Sequence, residues 1–301
     1  MHWIIVLFFL IACATGEFSA DFNRWLKEHF GEDVRRHLER LDLGNGGSFG
    51  GRRSEDEVLK EQPVIFVHGV SNTAEMMKRS AHEFVKKGHY TWASLYATTY
   101  RSGAEGNALQ WANYAMECSY VKTVRALIVA VRLYTGRAVD VIGYSLGVPI
   151  PEKILVIIIL TLSFDMEFTG SPLTKFIDTY VGIAGPNHGI ALQVAGIQIP
   201  GCVFSIIPGI CNTKTGLYSG FCPSESEFLQ DINRMMGYEG MNRFSISSRA
   251  DQLVGYSVCQ KITSQIPGEH GNYTYTDKNH DQTFFDSFAI QMSMVRDHRV
   301  P

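Results

Sequence analysis

From Gln62 onward the chain alternates between two patterns. Val64 to Val67, Ala138 to Ile142 and Tyr180 to Ala184 are short, largely apolar runs rich in β-branched residues, and runs apolar on both faces suit central strands of a parallel sheet. Between them apolar residues recur at helical spacing from about Ala74 to Lys87 and from about Leu109 to Tyr134. Gly88 and Gly136 stand at the ends of these stretches, where glycine commonly caps a helix. Phe244 to Ser247 predicts a further strand and Phe284 to Val295 a closing helix. Such alternation predicts an α/β fold: an open, mostly parallel sheet flanked by helices on both faces.

Upstream the pattern differs. Phe18, Phe22, Trp25, Leu26 and Phe30, then Val34, Leu38 and Leu41, recur among many charges and predict one or two amphipathic helices. The glycine-rich residues 43–51 break any helix and read as a linker or a surface loop. Trp3 to Leu10 is an unbroken apolar run followed by small residues, too short to cross ~30 Å of hydrocarbon and suited to signal peptidase, after Ala14 or Gly16. A retained anchor or a buried strand is the alternative. The expected organisation is a signal peptide over 1–16, a helical segment with linker over 17–61, and one α/β domain over 62–301.

Composition narrows the class. Of 301 residues 45% are hydrophobic and 19% charged, which excludes disordered, collagen-like and coiled-coil chains. The formal charge of −3, with Lys and Arg never clustered beyond two neighbours, excludes the footprint of a nucleic-acid binder. A secreted chain meets oxidising conditions, and Cys118, Cys202, Cys211, Cys222 and Cys259 follow the leader. Three of these lie in the stretch 202–222, rich in Gly and Pro, which reads as a loop stapled by a disulfide. Five is odd, and Cys118, on a helical apolar face, reads as a buried free thiol. Zinc-type Cys-x-x-Cys spacing is absent, and Asn272-Tyr273-Thr274 is a glycosylation sequon.

Chemistry concentrates at Gly143-Tyr144-Ser145-Leu146-Gly147, directly after the strand Ala138 to Ile142. A strand-to-helix turn with small flanking residues exposes a serine hydroxyl as a nucleophile. A hydroxyl attacks only when a base takes its proton, so a carboxylate and then a histidine should follow. Asp251 lies just past the strand at 244–247, and Asp165, Asp178 and Asp231 are its alternatives. His280, in Asn279-His280-Asp281, reads as a polar-loop residue and the base, with His188, His270 and His298 as competitors. Pro63-Val64-Ile65-Phe66-Val67-His68-Gly69-Val70 runs a strand into a loop that would bring the Val70 amide beside that of Leu146. Two such donors form an oxyanion hole. His68 reads as a residue that fixes the loop.

Together these motifs resemble the class 2 lipase family, the α/β-hydrolase group of minimal bacterial lipases and secreted nematode relatives. Residues 63–70 and Val-Asp-Val-Ile-Gly-Tyr-Ser-Leu-Gly at 139–147 carry the resemblance. So do Val-Gly-Ile-Ala-Gly-Pro-Asn at 181–187, Ser-Arg-Ala-Asp-Gln-Leu-Val at 248–254 and Asn-His-Asp at 279–281. The resemblance implies secretion and hydrolysis of acyl esters, lipids above all, by Ser145, Asp251 and His280 without metal or cofactor. A short-chain carboxylesterase and an inactive lipid-binding relative are the other readings.

One segment departs from that family. Pro149 and Pro151 are followed by an apolar run at 154–160, and a proline inside a helix costs roughly 3 kcal/mol. Pro151 is therefore expected to break the helix behind Ser145. The segment from about Pro151 to Asp165 reads as a lipid-facing insertion, a buried segment, or, the favoured alternative, translated sequence foreign to the enzyme.

Overall fold

The computed structural model describes residues 17–101, 116–156, 173–194, 197–203 and 209–301. The expected signal peptide, the first residues of the helix expected from Leu109, and Asp165 with most of its segment lie outside the described residues.

Ser19 accepts the Phe22 amide on its hydroxyl and opens α1 (Ala20–Phe30), which is followed by α2 (Glu32–Glu39). After one short helical turn come β1 (Ser48–Phe49), β2 (Val64–Val67), α3 (Ala74–Gly88) and β3 (Leu95–Thr98). Then follow α4 (Cys118–Thr135), β4 (Val139–Tyr144), α5 (Pro149–Val156) and β5 (Ile177–Ile183). An antiparallel pair, β6 (Ala191–Val194) and β7 (Ile197–Pro200), precedes α6 (Glu227–Ile232) and β8 (Asn242–Ser248). The chain ends through β9 (Ser257–Val258), β10 (Lys261–Ile262), β11 (Gly271–Tyr275), α7 (His280–Phe285) and α8 (Phe288–Asp297).

Seven strands form one sheet in the order β1-β3-β2-β4-β5-β8-β11, parallel throughout except for β1 against β3. Alternate strand residues feed two cores, as the two faces of a pleated strand require. Ile65, Val67, Val139 and Val141 join side chains of α1, α2, α4 and α6. Val64, Phe66, Ile142 and Tyr144 join α3, α7 and α8 on the opposite face. Of the helices that follow the neighbouring strands β2 and β4, α3 therefore packs on one face and α5, through Ile150, on the other. A crevice opens at such a switch point, outside the carboxyl ends of the two strands.

Three expectations need correction here. The stretch 43–51 is a surface turn only at its start, where Gly44 and Asn45 are exposed; Ser48 pairs with Thr98, Phe49 pairs with Ala97, and both are buried. A sheet edge recruits them, which local composition does not register. The closing helix is two helices, α7 and α8, parted at Asp286 and Ser287. Cys118 is exposed, because it faces away from the side of α4 that Tyr120, Val121 and Val124 bury. The loop staple is present as Cys202–Cys211, while Cys222 reaches Cys259.

Buried titratable groups make stability depend on pH. Asp140 of β4 accepts the Gln62 side-chain amide at 2.9 Å and the Thr179 backbone N–H at 3.0 Å. Burial pushes its carboxyl up to about 8, and burial pushes Glu239 up to about 7. Burial pushes the imidazoles of His68 and His188 down to about 4. A raised carboxyl stabilises the fold while protonated, and that contribution is lost as pH rises toward the folded value. The depressed histidines act oppositely, but only below their ordinary 6.5. Between about pH 6.5 and 8 the carboxyls alone act, so Tm by differential scanning calorimetry should fall as pH rises. Asp140→Asn, which imitates the protonated acid, should reduce that fall; an equal slope in the variant would assign it elsewhere.

Candidate active site

β4 delivers Ser145 into a tight turn, Ser145–Gly147, with Ser145 at φ 54°. That left-handed conformation costs a residue with a side chain about 1–3 kcal/mol and persists only where the surroundings enforce it. Close approach enforces it here. A Cβ on Gly143 would lie 2.4 Å from the Gly147 carbonyl oxygen, and one on Gly147 2.3 Å from that of Val67. The two glycines thus let the ends of β2 and β4 close around the turn.

The expected break at Pro151 does not occur. Pro149 and Pro151 are the first and third residues of α5, which runs on to Val156. Amides of a helix's first turn have no acceptor within the helix, so proline there removes no bond. Glu152 is buried and accepts the Asn187 side-chain amide at 3.1 Å.

Asp251 lies in the turn after β8, where its Oδ1 accepts the backbone N–H groups of Leu253 at 2.9 Å and Val254 at 3.0 Å. His280 is not in a loop, as expected, but opens α7. Asn279 caps that helix, Gln282 completes a capping box, and Gln252 Oε1 accepts the His280 amide at 3.2 Å. The imidazole spans the other two groups, with Nδ1 2.7 Å from Asp251 Oδ2 and Nε2 2.9 Å from Ser145 Oγ. A carboxylate only accepts, so Nδ1 carries the proton, and Nε2 accepts the serine O–H. All three residues are buried, at 6%, 7% and 3% exposure for Ser145, Asp251 and His280.

The competitors lie elsewhere. His298 reaches Asp178 at 3.1 Å, His270 accepts the Arg243 amide at 3.1 Å, and Asp231 belongs to α6. His188 is buried, with its amide on the Thr263 carbonyl.

Val70 and Leu146 both border the cavity over Ser145, of about 260 Å³, and among the described residues their amides have no hydrogen-bond partner. His68 fixes the loop before Val70. Its Nδ1 donates to the Gly69 carbonyl at 2.8 Å, its Nε2 accepts the Tyr100 amide at 3.3 Å, and its ring stacks on Tyr100 at 4.1 Å. Both nitrogens are thus engaged as a neutral imidazole, in keeping with its lowered pKa. Ile190, Ile210, Leu217, Leu253 and Val254 make much of the remaining wall apolar, with Ser71, Asn72 and Asp281 as polar members. Ile210 and Leu217 flank the cysteine staple, and no periodicity in that loop marks them as lining. Gln252 and Tyr144 were equally unmarked, although each adjoins a residue that sequence reasoning singled out.

A seven-stranded, mostly parallel sheet with helices on both faces and a strand-turn-helix at its central crevice is the α/β-hydrolase fold. The family model described as lipase (class 2) matches residues 61–293, and the chain belongs to that family, which makes it a carboxylic ester hydrolase. Solved structures agree on the fold. Aspergillus fumigatus lipase B is similar at a TM-score of 0.53 and 14% identity, covering 93% of this chain and 72% of that one. Bacillus licheniformis lipase BlEst2 in mature form gives 0.52 and 14%, covering 83% and 98%. A truncated carbohydrate esterase from gut microbiota gives 0.51 and 14%, covering 81% and 87%. Among curated proteins no sequence matches this chain.

Proposed function

We propose that the chain is a secreted esterase of lipids that works through Ser145, His280 and Asp251. The observation that carries this reading is the continuous hydrogen-bond relay from Asp251 through His280 to Ser145, opening on an apolar cavity. His280 Nε2 takes the serine proton as Oγ attacks the acyl carbonyl. The Val70 and Leu146 amides receive the oxyanion, and Asp251 stabilises the imidazolium. His280 then protonates the leaving alcohol, and water activated by the same nitrogen releases the acid. None of these steps calls for a metal or cofactor. Secretion, with residues 1–16 removed as a signal peptide and 62–301 forming the catalytic unit, is supported by the apolar run at 3–10 and two disulfides. Among the described residues no helix is long and apolar enough to cross a membrane.

A second reading, a short-chain carboxylesterase, is favoured by cavity size. The volume of about 260 Å³ lies at the lower edge of ligand sites, which span ~300–1,000 Å³. A series of 4-nitrophenyl esters from acetate to palmitate, with emulsified triacylglycerol, separates the readings. The lipase reading expects kcat/KM to hold or rise with chain length and the rate to climb once substrate exceeds its solubility. A maximum at butyrate or below with no such climb establishes the short-chain reading. No turnover of any ester contradicts both.

A further inference from the structure

Tyr144 immediately precedes Ser145, and Asp281 immediately follows His280. Their side chains meet across the site, Tyr144 Oη donating to Asp281 Oδ1 at 2.7 Å. The Tyr144 ring packs against the His280 imidazole, centroids 5.2 Å apart, and against Phe284 at 4.8 Å. Tyr144 is buried at 1% exposure, whereas Asp281 is exposed at the cavity rim.

His280 has other supports, but they act elsewhere. Gln252 and the capping box hold its backbone, and Asp251 holds one edge of its ring. A planar ring fixed at Nδ1 can still rock about that bond once the Ser145 hydroxyl gives up its proton, carrying Nε2 away from Ser145. The aromatic face beside it opposes the rocking only while the phenol is itself anchored.

We propose that Tyr144 and Asp281 are a positioning pair that holds the His280 imidazole in line between Asp251 and Ser145. The bond joins the strand bearing the nucleophile to the helix bearing the base, so it sets the relative placement of the two reacting groups. This inference rests on the reading of Ser145 and His280 as nucleophile and base. Misplacement of reacting groups by ~1 Å costs up to about 100-fold in rate, and loss of one tether among several should cost about tenfold.

The test compares Tyr144→Phe, Asp281→Ala, the double variant and Asp281→Asn in the full chain, with 4-nitrophenyl butyrate as substrate. Active sites are counted by fluorophosphonate labelling, so that kcat is expressed per competent site. Tyr144→Phe and Asp281→Ala should each lower kcat about tenfold with KM within about twofold. The double variant should be no slower than either single one, because both remove the same bond. Asp281→Asn, whose amide oxygen still accepts from the phenol, should restore most of the rate. Unchanged kcat in the single variants, multiplied losses in the double variant, or losses confined to the fraction of labelled sites would each overturn the proposal. Asp281 is exposed, so its variants decide the matter even if Tyr144→Phe folds poorly. Activity persisting in Ser145→Ala would instead overturn the underlying triad.

Discussion

Asparagine in place of Asp251 will lower kcat by about 10⁴-fold with the fold intact. The local bonding dictates the result. Asp251 Oδ1 accepts two backbone N–H groups, so an asparagine there keeps its oxygen at that site and turns its NH₂ toward His280 Nδ1. Nδ1 must then accept, the imidazole proton moves to Nε2, and Nε2 can no longer take the proton of Ser145. Alanine at Ser145 or His280 should cost roughly 10⁴–10⁶-fold, and combinations little more, since the three act as one unit. Steady-state kinetics on variants with unchanged circular dichroism and Tm provide the measurement. Near-normal turnover in Asp251→Asn would take the carboxylate role away from this residue.

Gly147→Ala is expected to lose both activity and stability. The added methyl would lie 2.3 Å from the Val67 carbonyl oxygen and 2.4 Å from that of His68, both backbone atoms at the end of β2. Neither can yield without displacing the loop that carries the Val70 amide. Overpacking that forces backbone shifts costs about 1–3 kcal/mol, and the shifted groups should lower kcat/KM by about 100-fold. Tm and kcat/KM on the same preparation test this. An active variant with the wild-type Tm would show that the turn does not depend on contact with β2.

Much of the fold was legible because β2, β4 and β5 are buried on both faces, which leaves largely apolar runs between helical patterns. As candidates, Ser145 and Asp251 could be picked out because each sits just past a strand, β4 and β8, and His280 because it follows them in the chain order that the candidate chemistry requires. What escaped depends on tertiary context. The cost of Pro151 follows from its place in the helix, and that place follows from where the serine turn lets α5 begin. The strand at Ser48–Phe49 exists because β3 presents an edge. The bond between Tyr144 and Asp281 joins residues 137 positions apart, and neither side chain announces the other. Cys118 lies on the side of α4 away from the buried face of Tyr120, Val124, Ile128 and Val131, a phase that depends on where the helix packs.

The central claim is that Ser145, and no other serine, is an activated nucleophile. Incubation of the purified protein with a fluorophosphonate probe, followed by peptide mass spectrometry, tests it most directly, because only a hydroxyl beside a base and an oxyanion hole attacks phosphorus at a useful rate. One labelled peptide containing Ser145, with labelling lost in Ser145→Ala and strongly slowed in His280→Ala, is the predicted result. Labelling that persists in Ser145→Ala, or an adduct on another serine, would contradict it.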